Sequence, residues 1–432
     1  MPDDNQYYTA FRYAHSILAR RQTLMKHASI VVIGGGPAGL AASISAGRAL
    51  AGNKGSVLLL EGNQECGKKL LLSGSGQCNF SNNLPILEFL YRLGKNANYL
   101  KSAYYNFDKD AFTNLLTDAG CQSYARPDGK LFPLSMKASD VRDALVKQAV
   151  SAGVTILYNA RVYDLGKHNQ TGFIINMENG SKLSCDKLII TTGGASYPQT
   201  GSDGKALSYT KSLGHEATAF RPHLGNVNLQ EFSFYKKCAG ISLPNVQATF
   251  AGKEKSFTAS GDLLITHKGF SGPLILDNCH RLKRGMEIII RWAQDAETRL
   301  FEAQKKYPKM DIINALWELP IPKKLLKTIL EARGLEFHQS MKRLTEFEIL
   351  LLATVLSGSH YTISRVESLD TAMASAGGIP LAEINAKTMQ SRICPDLYFA
   401  GEIMDYALPS GGFNIQMAVS TGWLAGESAV RT

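Results

Sequence analysis

The chain has 432 residues, 44% of them hydrophobic, and a formal net charge of +10. That length suits two or three domains with ordinary cores. No run of about 18 apolar residues free of charge occurs, so the pattern excludes a membrane-spanning helix.

Met1–Ala28 lacks the apolar stretch and small-residue cleavage site of a secretory signal. Its Phe11, Ala14 and Leu18, with Arg20, Arg21 and Lys26, predict a short amphipathic surface helix. The seven cysteines are Cys66, Cys78, Cys121, Cys185, Cys238, Cys279 and Cys394. They show no C-x-x-C and no zinc spacing, so no metal is expected. Scattered thiols of this kind point to a reducing cytoplasm. The basic residues are spread along the chain, which reads as a solvated surface and not as a nucleic-acid site.

Ser29–Ile33 is a β-branched run, read as a buried parallel strand. It leads into Gly34-Gly35-Gly36-Pro37-Ala38-Gly39, which fits G-x-G-x-x-G, and Leu40–Ala46 then reads as a helix. Val57–Leu60 is the next strand and ends in Glu61. Each glycine has a mechanical role: Gly34 for the turn, Gly36 for close approach of a pyrophosphate, Gly39 for packing of helix on sheet. The helix N-terminus offers free N–H groups to phosphate. Glu61 is placed to accept from an adenosine ribose. The motif with its context specifies a dinucleotide and leaves FAD and NAD both open.

The stretch Gly67-Lys68-Lys69-Leu70-Leu71-Leu72-Ser73-Gly74-Ser75-Gly76-Gln77-Cys78-Asn79 narrows the choice. A second strand–helix unit would follow in an NAD dehydrogenase; here a glycine-rich polar loop follows, suited to an extended ligand. With Ser81-Asn82 it is similar to the signature G-[RK]-K-x-L-x-S-G-x-G-[RQ]-C-N-x-[ST]-N of the HI0933-like, or aminoacetone-oxidase-like, FAD-dependent oxidoreductases. Thr191-Thr192-Gly193-Gly194 with Ser196-Tyr197-Pro198 resembles a second segment of that family. Phe399-Ala400-Gly401-Glu402, Asp405 and Gly411-Gly412-Phe413-Asn414-Ile415-Gln416 resemble a third. The resemblance runs from residue 29 to the end; Gln77 stands where many members carry Arg.

It implies non-covalent FAD and the following cofactor contacts. Gly34, Gly36, Pro37, Ala38, Gly39 and Glu61 come from the first unit. Lys69, Ser73, Gly74, Gly76, Gln77, Cys78 and Asn79 come from the loop. Val162, Thr192, Gly193 and Gly194 follow, then Gly401, Glu402, Asp405, Gly412, Phe413, Asn414, Ile415 and Gln416. Gly411 and Gly412 are expected to open a helix over Gln416–Glu427 facing the flavin N1/O2 edge. Cys78 reads as a packed thiol, since Cys66 is too distant in sequence for the redox pair of a disulfide reductase.

Short β-rich runs between Arg221 and Trp292 predict an inserted antiparallel sheet or barrel. Residues 293–358 predict an inserted helical domain, with Lys323, Lys324 and Lys327 on a solvated face. Thr266–Pro273, which includes His267, reads first as a structural turn and second as the place of a proton donor. His215 reads as structural. Ala376-Gly377-Gly378 marks the return toward the cofactor.

The expected fold is α/β: a Rossmann-type FAD domain split over 29–220 and 359–432, after an N-terminal extension at 1–28, with a β insertion at 221–292 and a helical insertion at 293–358. The expected function is hydride transfer between flavin N5 and a small organic substrate, an amine or an enone-type acceptor. The route is either oxidase or NAD(P)H-fed reductase. No second G-x-G-x-x-G follows a strand, so NAD(P)H would dock transiently. The expected partner is a small-molecule substrate and not a nucleic acid. An RNA-acting (tRNA-modifying) flavoprotein and a non-catalytic FAD sensor stand as alternatives. No catalytic residue and no oligomeric state follow from the sequence.

Overall fold

The computed structural model describes residues 26–167, 172–253, 255–334, 336 and 338–431. The expected N-terminal amphipathic helix lies outside them. The chain forms two compact units, one from the chain up to Arg221 and from Ala374 onward, the other from Pro222–Met373.

The first unit is built on a seven-stranded sheet. Its first six strands in chain order are β1 (His27–Ile33), β2 (Val57–Leu60), β3 (Thr155–Leu157), β4 (Val162–Lys167), β5 (Phe173–Met177) and β6 (Lys182–Ile190). Their spatial order is β3-β2-β1-β6-β5-β4. β1, β2, β3 and β6 are parallel, with Ile33 paired to Leu60 on one side and Ile190 on the other. β4, β5 and β6 form an antiparallel meander. The strand Leu397–Phe399 joins the C-terminal half of β6 in parallel, Leu397 beside Leu188. Every residue of β2 is buried, as expected of a parallel strand covered on both faces.

The helix α1 (Pro37–Ala49) starts at the glycine turn. The terminal helix runs over Phe413–Arg431, beginning earlier and ending later than its sequence pattern suggested. The two helices touch backbone to backbone: a Cβ on Gly422 would collide with the carbonyl oxygen of Ala38, and one on Gly426 with that of Ala42. Both ends of the chain therefore build one wall of this unit.

The second unit is a closed barrel with helices. Its strands are β7 (Val227–Leu229), β8 (Ser242–Ala251), β9 (Ser256–Ile265), β10 (Gly269–Ser271), β11 (Glu287–Arg291) and β12 (Ser359–Val366), in the order β7-β10-β9-β8-β11-β12. β12 was expected to begin the return to the cofactor domain. Instead Ile288 pairs with Tyr361, and Leu229 with Ile363, so β12 closes the barrel. The return comes at Ala374. The helices Ala296–Lys306, Lys323–Glu331 and Glu346–Ser357 share one hydrophobic core with the barrel, including Leu300, Ile329 and Leu352 beside Phe270, Trp292 and Tyr361. The two insertions read from the sequence are thus a single unit. Among the described residues, no helix is long and apolar enough to cross a membrane.

Candidate functional site

The glycine turn sits at the carboxyl end of β1. Gly34 has φ +102°, and a Cβ there would lie 2.7 Å from the Thr191 carbonyl oxygen. The Thr191 hydroxyl reaches the carbonyls of Ile33 (2.8 Å) and Gly34 (2.9 Å), tying the turn to β6. Gly36 is the N-cap of α1 and Pro37 opens the helix; no side chain caps it, and its first turn carries no acid. A Cβ on Gly36 would meet nothing within 4 Å. Free N–H groups, a positive dipole end and open space together fit a pyrophosphate.

Glu61, at the end of β2, is buried. One carboxylate oxygen accepts the Gly35 N–H (2.8 Å), the other the Asn63 N–H and side-chain amide (2.7 Å each). An ionised carboxylate has about four acceptor positions, so capacity remains for a ribose hydroxyl. Cys66 packs beneath this turn. Burial, then the Glu61 carboxylate, push its thiol up to about 12. Val162 begins β4, close to Ala160, whose N–H donates to the Glu61 carbonyl (2.9 Å).

The loop after Cys66 is tightly wound. Ser73 donates to the Leu70 carbonyl (2.7 Å), and the left-handed residues Gly74, Ser75 and Gly76 reverse the chain. Gly74, Ser75 and Gln77 are exposed. Cys78 is fully buried, and burial pushes its thiol up to about 12. All seven cysteines are buried and free. The Asn79 amide donates to the carbonyls of Ser81 (2.8 Å) and Leu131 (3.2 Å) and accepts the Gly412 N–H (3.1 Å), joining the loop to the start of the terminal helix.

Gly193 and Gly194 follow β6 at the same carboxyl edge, with Thr192 Cα 3.0 Å from where a Gly34 Cβ would be. Beside them stands a polar cluster. Lys69 Nζ lies 2.6 Å from Glu402 and also donates to Ser196. Glu402 accepts the backbone N–H (2.6 Å) and the hydroxyl (2.9 Å) of Ser375. The Ser375 hydroxyl in turn accepts the Ala195 N–H at 3.0 Å. Asp405 accepts the Gly377 N–H at 2.9 Å.

The last motif is mostly turned inward. Gln416 is fully buried: its oxygen accepts from Ser81 (2.5 Å), and its NH2 reaches the Phe107 carbonyl (3.2 Å) and Ser420 (3.0 Å). Phe413 is buried against Phe89, ring centroids 4.8 Å apart. Asn414 donates to the carbonyls of Leu408 (3.1 Å) and Pro409 (3.2 Å). A side chain without accessible surface presents no face to a cofactor, so at Cys78 and Gln416 only the backbone is left for that task. Ile415 is partly exposed.

The structure thus gathers Gly34–Gly39, Glu61, Lys69, Thr192–Gly194, Gly401 and Glu402 at the carboxyl edge of the parallel strands, where open α/β sheets bind ligands. It adds Asn63, Ser196 and Ser375, which sequence reasoning missed. Asn63 had a signal in its place just after the ribose acid. Ser375 had none, since its partners come from distant segments.

His215 is also fully buried, 2.6 Å from Glu383 and 2.9 Å from Ser391. Ser391 accepts the N–H groups of Ile393 and Cys394, so the trio staples a loop, in line with the structural reading of His215. In the second unit, His267 sits exposed in the turn Thr266–Gly269, closed by Thr266 N–H to Gly269 carbonyl at 2.8 Å.

A Rossmann-type sheet, an uncapped helix at its glycine turn and a buried acid at the end of the next strand, joined by the last helix of the chain, fit a dinucleotide cofactor, and the family match makes the protein an FAD-dependent oxidoreductase. The chain belongs to the HI0933-like family: that family's Rossmann domain matches residues 28–428. It is 30% identical to the ribosomal RNA dihydrouridine synthase of Escherichia coli (strain K12) over 410 residues, covering 94% of this chain and 99% of that protein. It is 27% identical to the 3-dehydro-bile acid delta(4,6)-reductase of Clostridium scindens over 413 residues, covering 93% and 98%. Among solved structures, the 3-ketosteroid-delta4-(5alpha)-dehydrogenase of Rhodococcus jostii RHA1 shares the fold, with a TM-score of 0.51 at 16% identity and coverage of 94% and 97%.

Proposed function

We propose that this protein reduces a carbon–carbon double bond conjugated to a carbonyl, and that its substrate is a uracil base within RNA. The observation that carries the cofactor half is the uncapped, acid-free N-terminus of α1 over an open Gly36. FAD bound there supplies a hydride donor at flavin N5, recharged by NAD(P)H docking transiently. The chain's own part is to hold the pyrophosphate at α1 and the ribose at Glu61, while the Lys69–Glu402–Ser375 cluster keeps the surrounding loops in place.

The substrate half draws on the relatives. Dihydrouridine synthesis and Δ4,6 reduction of a 3-dehydro bile acid both add two hydrogens across a double bond conjugated to a carbonyl. The net charge of +10 suits a polyanionic substrate. This reading puts RNA ahead of the free small molecule expected from the sequence, and the enone-type acceptor keeps its place as the chemical class. A second reading, reduction of a free steroid-like enone, is favoured by the bile-acid relative.

The test is anaerobic. NADH or NADPH is used to bleach the flavin, and the reduced protein is then mixed with ribosomal RNA lacking dihydrouridine or with a 3-oxo-4-ene steroid. Recovery of flavin absorbance with RNA, and two hydrogens gained on one uridine by mass spectrometry, is the expected result. Recovery with the steroid alone supports the second reading. Reduction followed by reoxidation only with O2, with neither RNA nor steroid restoring the absorbance, refutes both.

A further inference from the structure

The barrel unit carries a charged feature that the flavin chemistry does not use. Gly252 and Lys255, between β8 and β9, and the loop at 281–286 meet at one end of the barrel, where the Gly252 N–H donates to the Lys255 carbonyl at 3.0 Å. Ala251 pairs with both Ser256 and Glu287, and a Cβ on Gly252 would stand 3.6 Å from Met286. The Gly285 N–H donates to the Ile363 carbonyl at 2.8 Å, which brings β12 to the same end. Lys253, Lys255, Arg281, Lys283, Arg284 and Arg365 are all exposed there.

Among the described residues, none of these six cations has an ion-pair partner. The nearby acid Glu287 lies 3.2 Å from His360. Elsewhere in this unit a few basic side chains are matched, Lys237 and Lys327 with Glu331 and Lys306 with Glu318. The six come from three separate chain segments, so closure of the barrel, not a local sequence run, concentrates them. One acid, Glu254, stands between Lys253 and Lys255 in the sequence and lies outside the described residues; the excess of cations still repels, and an anionic polymer relieves that repulsion. The Arg281 guanidinium lies 3.3 Å from the centroid of the Phe257 ring, which stacks on Phe250 at 4.8 Å. That contact holds one cation in place beforehand.

Two anionic surfaces offer themselves, RNA and an acidic membrane. Basic membrane-surface sites combine cations with apolar side chains that enter the lipid. Among the described residues, no large hydrophobic side chain is exposed in the segments 251–257, 281–287 or 359–366. Phosphates without insertion are the pattern of nucleic-acid backbone binding.

We propose that this end of the barrel docks the phosphate backbone of the RNA substrate, an inference that rests on the RNA reading above. It is tested on the full-length, FAD-loaded protein with protein-free ribosomal RNA as the probe. The variant is Lys253→Gln/Lys255→Gln/Lys283→Gln/Arg284→Gln, with Arg281 kept to preserve its contact with Phe257. A control variant, Lys323→Gln/Lys324→Gln, neutralises an exposed helix face of the same unit. Affinity is measured by fluorescence anisotropy across a salt series.

The wild type is expected to bind with steep salt dependence. The fourfold variant is expected to bind at least about tenfold more weakly at low salt, with a slope of log K against log salt shallower by about 3, from about 0.7 for each lost phosphate contact. The control is expected to stay within about twofold of wild type. Unchanged flavin absorbance and unchanged reduction by NAD(P)H show that the variant is folded. A fourfold variant with wild-type affinity and slope overturns the proposal while the RNA reading stands. A wild type that binds no RNA overturns the RNA reading itself. Binding to phosphatidylserine vesicles in place of RNA overturns the choice of partner.

Discussion

Glu402→Gln keeps the shape of the side chain and removes its charge. The carboxylate lies 2.6 Å from Lys69 and accepts two bonds from Ser375, at 2.6 and 2.9 Å. An amide offers one acceptor oxygen where the carboxylate offers two. If that oxygen stays with Ser375, the new NH2 faces the Lys69 ammonium, donor against donor. If it turns to Lys69, the Ser375 N–H loses its acceptor. A hydrogen bond to a charged group contributes about 1.5–3 kcal/mol. The two side chains are 25% and 20% exposed, which screens the pair toward the surface value of about 1 kcal/mol or less. The expected loss is therefore about 1–2 kcal/mol, or about 2–8 °C in melting midpoint.

Because every partner belongs to the chain, the loss is expected in FAD-free and FAD-loaded protein alike, read by calorimetry on both. Lys69→Met, which leaves Ser375 in place, should cost less. The double variant should cost less than the sum of the two. An E402Q protein that melts with wild type when FAD-free, yet binds FAD at least tenfold more weakly, would refute the reasoning: the carboxylate would then act on the cofactor and not on the loops.

Glu61→Gln is expected to weaken FAD binding several-fold, measured by flavin fluorescence, because one oxygen must then serve Gly35 and Asn63 and little is left for a ribose. Unchanged affinity would remove Glu61 from the cofactor site. Gly426→Ala drives a methyl into the Ala42 carbonyl and should cost about 1–3 kcal/mol in urea unfolding, since overpacked helices must move apart. A neutral substitution would mean that the two helices have slack. The thiols of Cys66 and Cys78 are pushed up to about 12 by burial, against 9.0 in the open chain. Between those values the unfolded state binds fewer protons than the folded one. Stability thus falls as pH rises from about 9 toward 12, by about 1.4 kcal/mol per unit for each thiol. Equal urea midpoints at pH 8 and 10.5 would contradict this.

What was legible in the sequence follows a physical line. The strand–glycine–helix–strand unit could be read because each of its constraints is local: a Cβ at Gly39 collides with Gly34 five residues earlier, and Pro37 opens its own helix. The polar residues of the later motifs obey no such limit. Asp405 holds the N–H of Gly377, and Gln416 holds the hydroxyl of Ser81, 335 residues away. In sequence, an acid or amide inside a glycine-rich stretch looks the same whether its partner is a ligand or a distant backbone group. The strand Ser359–Val366 shows the same limit in the fold. Its alternation of buried Tyr361 and Ile363 with more exposed neighbours marks a half-buried strand, but nothing local says whether it pairs with a barrel or with the central sheet.

The division has a functional side. The groups left open, the N–H groups over Gly36 and the spare capacity of Glu61, are the ones a dinucleotide needs. The groups taken up by the chain, at Asn79, Asp405, Asn414 and Gln416, hold the loops around them. A cradle already fixed by its own hydrogen bonds has less entropy to lose when the cofactor enters. The long-range pairs that hid from the sequence are therefore the source of that preorganisation, and the Glu402–Lys69–Ser375 cluster is where removing one of them is easiest to measure.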